Sequence, residues 1–365
     1  MSKMRKAILL ALYGASAATV FTPAMVNAQT APAAEKATDP AMQTMTIVGS
    51  RRANTSATNT PLPVDFISVS KAAEQGGQFD LAQTLANISP SFNSTRQTGA
   101  DGADLIDSAA LRGLGSDQTL VLVNGKRRHT GALVNLFGAR NRGNTGTDLN
   151  AIPVMAISNV QVLRDGAAAQ YGSDAIAGVM DITLKKSLGC EASFGYSQYS
   201  VGDGKNYLPS AYCGIALGEK GVLGITVEYT DRGRSNRADP GNPRTIGDTK
   251  VTGPTVYLNG EVPNGGNDKL YFTLGTQQRK ASSAAFARGG IGSDDIPSRN
   301  SAAMYPNGFV PYINGDINDI YGTVGYKWDI GEWRADLSQT YGFNELKYNV
   351  SNTINASIAN KDLLA

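Results

Sequence analysis

Tyr321-Gly-Thr-Val-Gly-Tyr-Lys-Trp-Asp329 places Val324, Tyr326 and Trp328 at alternate positions, with Thr323, Gly325 and Lys327 between them. Side chains of an extended chain point to opposite faces with a period of two, so the segment predicts a strand with one apolar and one polar face. Gly221 to Asp231 repeats the pattern: Leu223, Ile225, Val227 and Tyr229 alternate with Thr226, Glu228 and Thr230. Leu270, Phe272 and Leu274 continue it, as do Trp333, Ala335 and Leu337. From Gly189 onward, segments of about ten residues of this kind are separated by Gly, Asn and Asp, the grammar of successive antiparallel strands in a transmembrane barrel. A soluble sandwich or barrel gives a similar alternation, and the strands alone leave both open.

Upstream the grammar differs. From Pro61 to Lys186 the reading is a small α+β domain. Val64 to Val69 is a strand. Asp80 caps a helix running through Asn87, in which Leu81, Leu85 and Ile88 share a face at helical spacing. Leu120 to Val123 is a continuous apolar strand closed by the Asn124-Gly125 turn, and Val160 to Leu163 is a second, ending at Asp165-Gly166. Val179 to Leu184 is a third. Few of these stretches need more than one buried face, which suits a compact domain that itself sits inside something.

The N-terminus reads as an address. Lys3, Arg5 and Lys6 precede the apolar run Ala7 to Val20, and Val26-Asn27-Ala28 has the small residues of an export cleavage site, so residues 1–28 are expected to be a signal peptide. Residues 29–60 are linker-like, rich in Ala, Thr, Gln and Asn. One β-prone patch interrupts them, Thr44-Met45-Thr46-Ile47-Val48, which reads either as bait for strand addition by a partner or as an edge strand of the next domain.

Composition narrows the chemistry. The 365 residues include 41 Gly and are 41% hydrophobic but only 18% charged, too apolar for a disordered chain. Beyond the N-terminus no run approaches the ~20 apolar residues of a membrane helix, so any bilayer would be crossed by strands. One histidine, His129, and two cysteines, Cys190 and Cys213, leave little for a metal cluster, and no cofactor is expected. Gly113-Leu114-Gly115 lacks the third glycine of a dinucleotide loop, and a Ser/His/Asp triad would have to use His129, so no enzyme is expected. The net charge of +2 gives no reason to expect nucleic acid as a partner.

Several motifs then fall in one order. Asp80-Leu-Ala-Gln-Thr-Leu-Ala-Asn-Ile-Ser-Pro90, Leu111-Arg112-Gly113-Leu114-Gly115 and Thr119-Leu-Val-Leu-Val-Asn124-Gly125 lead to Ile152-Pro153 through Val160-Gln-Val-Leu-Arg164-Asp-Gly166 and on through Tyr171-Gly172 to Gly178-Val179. This series resembles the plug domain of TonB-dependent outer-membrane receptors. The resemblance is close over about Thr44 to Lys186 and continues downstream only as a barrel pattern. Gln161 stands where an acidic residue is common in that family, Asn124 where Asp is common, and Met180-Asp181 where Ile-Asn is common.

The resemblance implies a plug at 61–186 inside a large β-barrel whose N-terminal part is 187–365, and a TonB box at Thr44, Met45, Thr46, Ile47 and Val48. It implies energy-coupled uptake of a scarce solute of the siderophore, cobalamin or glycan class. The TonB coupling protein, outer-membrane lipid and a small-molecule ligand would be the partners. The rivals are a truncated, non-functional remnant and a passive, porin-like or binding barrel, neither of which needs a coupling peptide. With about seven strands after Gly189, the barrel is expected to be incomplete, since an open sheet edge in lipid costs several kcal/mol per unpaired group.

Within the plug, Gly113, Gly125, Gly166, Gly172 and Gly178 are expected at turns or close backbone approaches, and Arg112 and Arg164 either to bridge to the wall or to be solvated. Tyr171 belongs to the same motif series. The basic run Lys126-Arg127-Arg128-His129 reads as an exposed loop or a contact for an anionic ligand or lipopolysaccharide. Cys190 and Cys213 flank the turn Gly202-Asp203-Gly204 at similar distances, so a hairpin in the right register would place them opposite each other as a possible disulfide.

Overall fold

The computed structural model describes residues 63–69, 79–94, 96–136 and 138–361. The signal-peptide and TonB-box readings lie outside these residues. The first sheet has the order β1-β4-β5-β2-β3. Its strands are β1 (Val64–Ile67), β2 (Thr119–Val123), β3 (Lys126–Arg127), β4 (Ile157–Leu163) and β5 (Gly178–Leu184), with helices α1 (Leu81–Ile88) and α2 (Ala168–Tyr171) between them. The two residues of the β2–β3 turn, Asn124 and Gly125, both have positive φ, which the Asn-Gly pair tolerates.

This sheet is buried on both faces, more than expected from sequence. Val121, Val123, Val160, Val162 and Met180 pack with Leu81 and Leu85 of α1 on one side. Leu120, Leu122, Leu163 and Val179 pack with Ala167 and Ala175 on the other. The continuous apolar run of β2 is thereby explained, since every one of its residues is buried. Ile88, predicted on the buried face of α1, is 40% exposed.

The second sheet is a seven-stranded antiparallel meander in which every neighbour in sequence is a neighbour in space. It comprises β6 (Gly189–Ser197), β7 (Asn206–Leu217), β8 (Gly221–Arg232), β9 (Lys250–Pro263), β10 (Lys269–Ala284), β11 (Tyr312–Ile330) and β12 (Trp333–Ser351), followed by helix α3 (Ala356–Lys361). Connections at one end are short turns, 218–220, 264–268 and 331–332, while those at the other end, 198–205, 233–249 and 285–311, are longer. Transmembrane barrels have this asymmetry between their two rims.

The burial pattern separates the two readings left open by the alternation. In a soluble sandwich the apolar face would be covered, but here Leu274 and Val324 are 48% and 50% exposed while Thr273 and Thr323 are each 3% exposed. The polar face looks inward onto the first domain and the apolar face outward, the arrangement of strands whose outer solvent is lipid. Among the described residues no helix is long and apolar enough to cross a membrane. The fold is an α+β plug followed by antiparallel transmembrane barrel strands that form an open sheet.

Candidate functional site

The two domains meet along the inward face of the wall, and side chains from every level of the plug reach it. At the long-loop end, Arg96 of the plug pairs with Asp80, lies 2.7 Å from Asp248 of the β8–β9 loop and 3.6 Å from Asp107. Arg232, the last residue of β8, closes on the same Asp80 at 2.9 Å. Burial pushes the Asp80 carboxyl up, but Arg96 and Arg232 outweigh it and hold the group below the ordinary carboxylate value. Burial opposes the charge on Arg96 too, and Asp80, Asp107 and Asp248 raise its pKa in spite of it. Asp80 sits at the N-cap position of α1, yet its side chain makes no cap, contrary to the sequence reading. Two charged partners outcompete a cap contact worth about 1 kcal/mol.

Midway down, Arg279 of β10 pairs with Asp148 of the plug and donates to the Leu105 carbonyl at 3.1 Å. Gln277 donates to the carbonyl of Asn150 at 2.7 Å. Asp104 accepts from Ser283 at 2.6 Å and from the Gly99 backbone at 3.1 Å, contacts that only partly offset the burial raising its pKa. Arg128 pairs with Asp319 of β11 and lies over the Tyr321 ring at 5.0 Å. Burial works against its charge, while the electrostatic pull of Tyr257 and Asp319 raises its pKa. His129 reaches Asp319 at 2.9 Å and stands against Gly342 of β12, where any Cβ would run into the imidazole. The basic run is therefore neither a free loop nor a single ligand patch. Lys126 binds Asp336 of β12 at 2.9 Å, and Arg127 pairs with Asp174 inside the plug.

Apolar contact across the interface is modest. Leu105, Ile106 and Leu133 meet Val251, Ala281 and Ile317 near the long-loop end, and the rings of Tyr257 and Tyr321 touch the plug core. Buried ion pairs of this kind add little net stability relative to apolar packing, because desolvation offsets most of their attraction. They give a defined docked position without the apolar area that would make docking irreversible.

Comparison with known proteins fits this geometry. Residues 56–179 match the family described as TonB-dependent Receptor Plug Domain. The vitamin B12 transporter BtuB of Vibrio cholerae is 30% identical over 169 residues, 44% of this chain and 24% of that protein. The ferric enterobactin receptor of Pseudomonas aeruginosa is 26% identical over 288 residues, 76% of this chain and 37% of that one. A crystal structure of the ferric enterobactin receptor PfeA from the same organism superposes with a TM-score of 0.56 at 18% identity, covering 78% of this chain and 41% of that one. Residues 56–179 are a plug domain of the TonB-dependent receptor type. The chain spans from about a quarter to two fifths of the length of these relatives.

The plug motif residues gather mostly at turns. Arg112 and Gly113 have positive φ, and the Gly113 amide donates to Asn93 at 2.6 Å. Gly172 also has positive φ, and the Tyr171 carbonyl accepts from Arg127 at 3.2 Å. Gly178 combines φ +146° with close approach, since a Cβ there would run into the Leu163 carbonyl oxygen. At Gly166 an added Cβ would come within 3.2 Å of the Ile176 carbonyl oxygen. Arg112 and Arg164 do not reach the wall. Arg112 donates to the Arg164 carbonyl at 3.0 Å, and Arg164 pairs with Asp65 at 3.1 Å, so both tie plug segments together at its surface. Asn124 donates to Asn259 at 3.0 Å and to Thr273 at 3.1 Å, while its oxygen accepts from the Leu184 amide at 3.0 Å. Cys190 and Cys213 face each other in the β6–β7 register with their sulfurs bonded.

The wall partners Arg232, Arg279, Asp319 and Asp336 were not singled out from sequence. A signal for them existed, because each is a full charge at a position that the period-two alternation assigns to the polar face of its strand.

Proposed function

We propose that this chain supplies the gate and part of the wall of an energy-coupled outer-membrane uptake receptor. The supporting observation is the character of the plug–wall interface: Arg96, Asp148, Arg128 and Lys126 of the plug each meet an opposite charge on the wall, Asp248, Arg279, Asp319 and Asp336, with little apolar area behind them. Contacts of this type exchange readily for water when a force separates them. Ligand on the long loops and plug apex alters the periplasmic tail. The TonB protein then grips Thr44 to Val48 by strand addition, and traction shifts the plug far enough to open a path. The solute is a scarce nutrient of the kind named for the relatives, vitamin B12 or ferric enterobactin. Nothing in this scheme asks the chain to perform chemistry.

The test is uptake of radiolabelled cobalamin and of ferric siderophores by cells lacking this gene, with the full-length gene restored, in backgrounds with and without TonB. The proposal predicts uptake of one solute that requires both proteins. Uptake that persists without TonB would instead identify a passive pore.

A further inference from the structure

Below the β2–β3 turn, at the short-turn end of the lumen, four lysines share two carboxylates. Lys186 and Lys269 reach Glu261 at 2.6 and 2.8 Å. Lys126 and Lys327 reach Asp336 at 2.9 and 3.6 Å. Tyr271 donates to Asp336 at 2.6 Å and lies beneath the ammonium groups of both Lys126 and Lys327. A cavity of about 50 Å³ lies among Lys186, Lys269, Lys327, Glu261 and Tyr271, lined also by Asn124 and Asn259, with the Lys126–Asp336 pair next to Tyr271 and Lys327. Four ammonium groups against two carboxylates leave an excess of two positive charges. Asp181, which accepts from the Gly125 amide nearby, reduces the excess to one when ionised, and its burial raises its pKa.

We infer that this cavity is a binding site for a small free anion, a phosphate- or carboxylate-bearing group. A wall of one predominant charge around a narrow polar space concentrates counter-ions. The ammonium groups remain reachable, since the lysine side chains are between 19% and 44% exposed. A lipid headgroup is disfavoured as the occupant because Lys269, Tyr271 and Lys327 lie on the inward face of the wall, whereas Leu270 and Leu274 lie on the outward face. The site needs neither transport nor the TonB protein to bind, so it stands apart from the function proposed above. If that function holds, the site lies at the exit, where an anionic solute would pause on leaving the plug.

The experiment is calorimetric titration of inorganic phosphate into the full-length protein in a non-ionic detergent at low ionic strength. Lys269→Gln combined with Lys327→Gln should weaken binding about tenfold or more, and Glu261→Gln should tighten it several-fold by removing a competing carboxylate. Arg237→Gln, in the β8–β9 loop at the opposite rim, should leave the constant unchanged. Absence of phosphate binding in the wild type, equal affinity in the double lysine variant, or a weaker Glu261→Gln would overturn the site. Repeating the titration in nanodiscs rich in anionic phospholipid should give the same constant, and loss of phosphate binding there would reassign the lysines to a headgroup.

Discussion

Arg128 of the plug and Asp319 of the wall form a buried pair across the interface, their side chains 1% and 4% exposed. Asp319 is also held by His129 and Asn344, each at 2.9 Å, so one wall carboxylate collects two plug residues and a neighbouring strand. Arg128→Ala removes the only one of these partners with a fixed charge and leaves the carboxylate buried. The expected cost is about 3 kcal/mol, read as a lower urea midpoint for plug release. Arg128→Met with Asp319→Leu should recover most of that loss. If the single and double variants are equally destabilised, the pair is not what holds this level of the plug.

The Asp80–Arg96–Arg232 cluster predicts a pH dependence at the long-loop end. The Asp80 pKa is lowered in the folded protein, so its contribution is complete above the unfolded value of about 4 and is lost as pH falls through the folded value. Limited proteolysis of the plug–wall junction should therefore be constant from about pH 5 to 8 and accelerate only below about pH 4. Asp80→Asn should flatten that acid response while starting from a more labile state. An unchanged acid response in Asp80→Asn would assign it to another carboxylate.

The wall was legible in sequence because alternation is local: Leu223 to Tyr229 and Val324 to Trp328 declare strands without reference to anything else. Which face looks inward was not, since that depends on the solvent outside. The plug's strands were legible for the same reason, although β2 proved to be buried on both faces. The functional pairs were least legible. Arg128 and Asp319 lie 191 residues apart, and only docking of two separately built domains brings them together. Asp80 reads locally as a helix cap, and a partner 152 residues away, Arg232, takes it for another purpose.

Cys190 and Cys213 face each other in the β6–β7 register, across a sequence separation of 23. In an exported protein they should be recovered as one crosslinked peptide pair after non-reducing digestion. Closing a loop of that length should stabilise the β6–β7 hairpin by about 3 kcal/mol. Two alkylatable thiols in the untreated protein would refute the bridge.

Thr44 to Val48 should bind the periplasmic domain of TonB as an added strand. A peptide covering Ala41 to Arg52 with Ile47→Pro loses one backbone donor and has a fixed φ, so its affinity should fall at least about tenfold. Ile47→Ala should cost far less, because a strand-addition contact depends mainly on backbone. Equal affinity of wild-type and proline peptides would make the segment a linker.

If the plug is the gate, it must move relative to the wall for a solute to pass. Asn124 and Asn259 touch across the interface at 3.0 Å. In the full-length receptor, Asn124→Cys and Asn259→Cys can be joined by a short bis-thiol crosslinker that reductant cleaves. The decisive measurement is solute uptake by cells carrying this pair, before and after crosslinking and again after cleavage, with surface binding recorded in parallel. A moving gate requires that crosslinking abolish uptake, leave surface binding intact, and be reversed by cleavage. Uptake at the uncrosslinked rate in fully crosslinked protein would show that the solute passes without this part of the plug leaving the wall, and would contradict it.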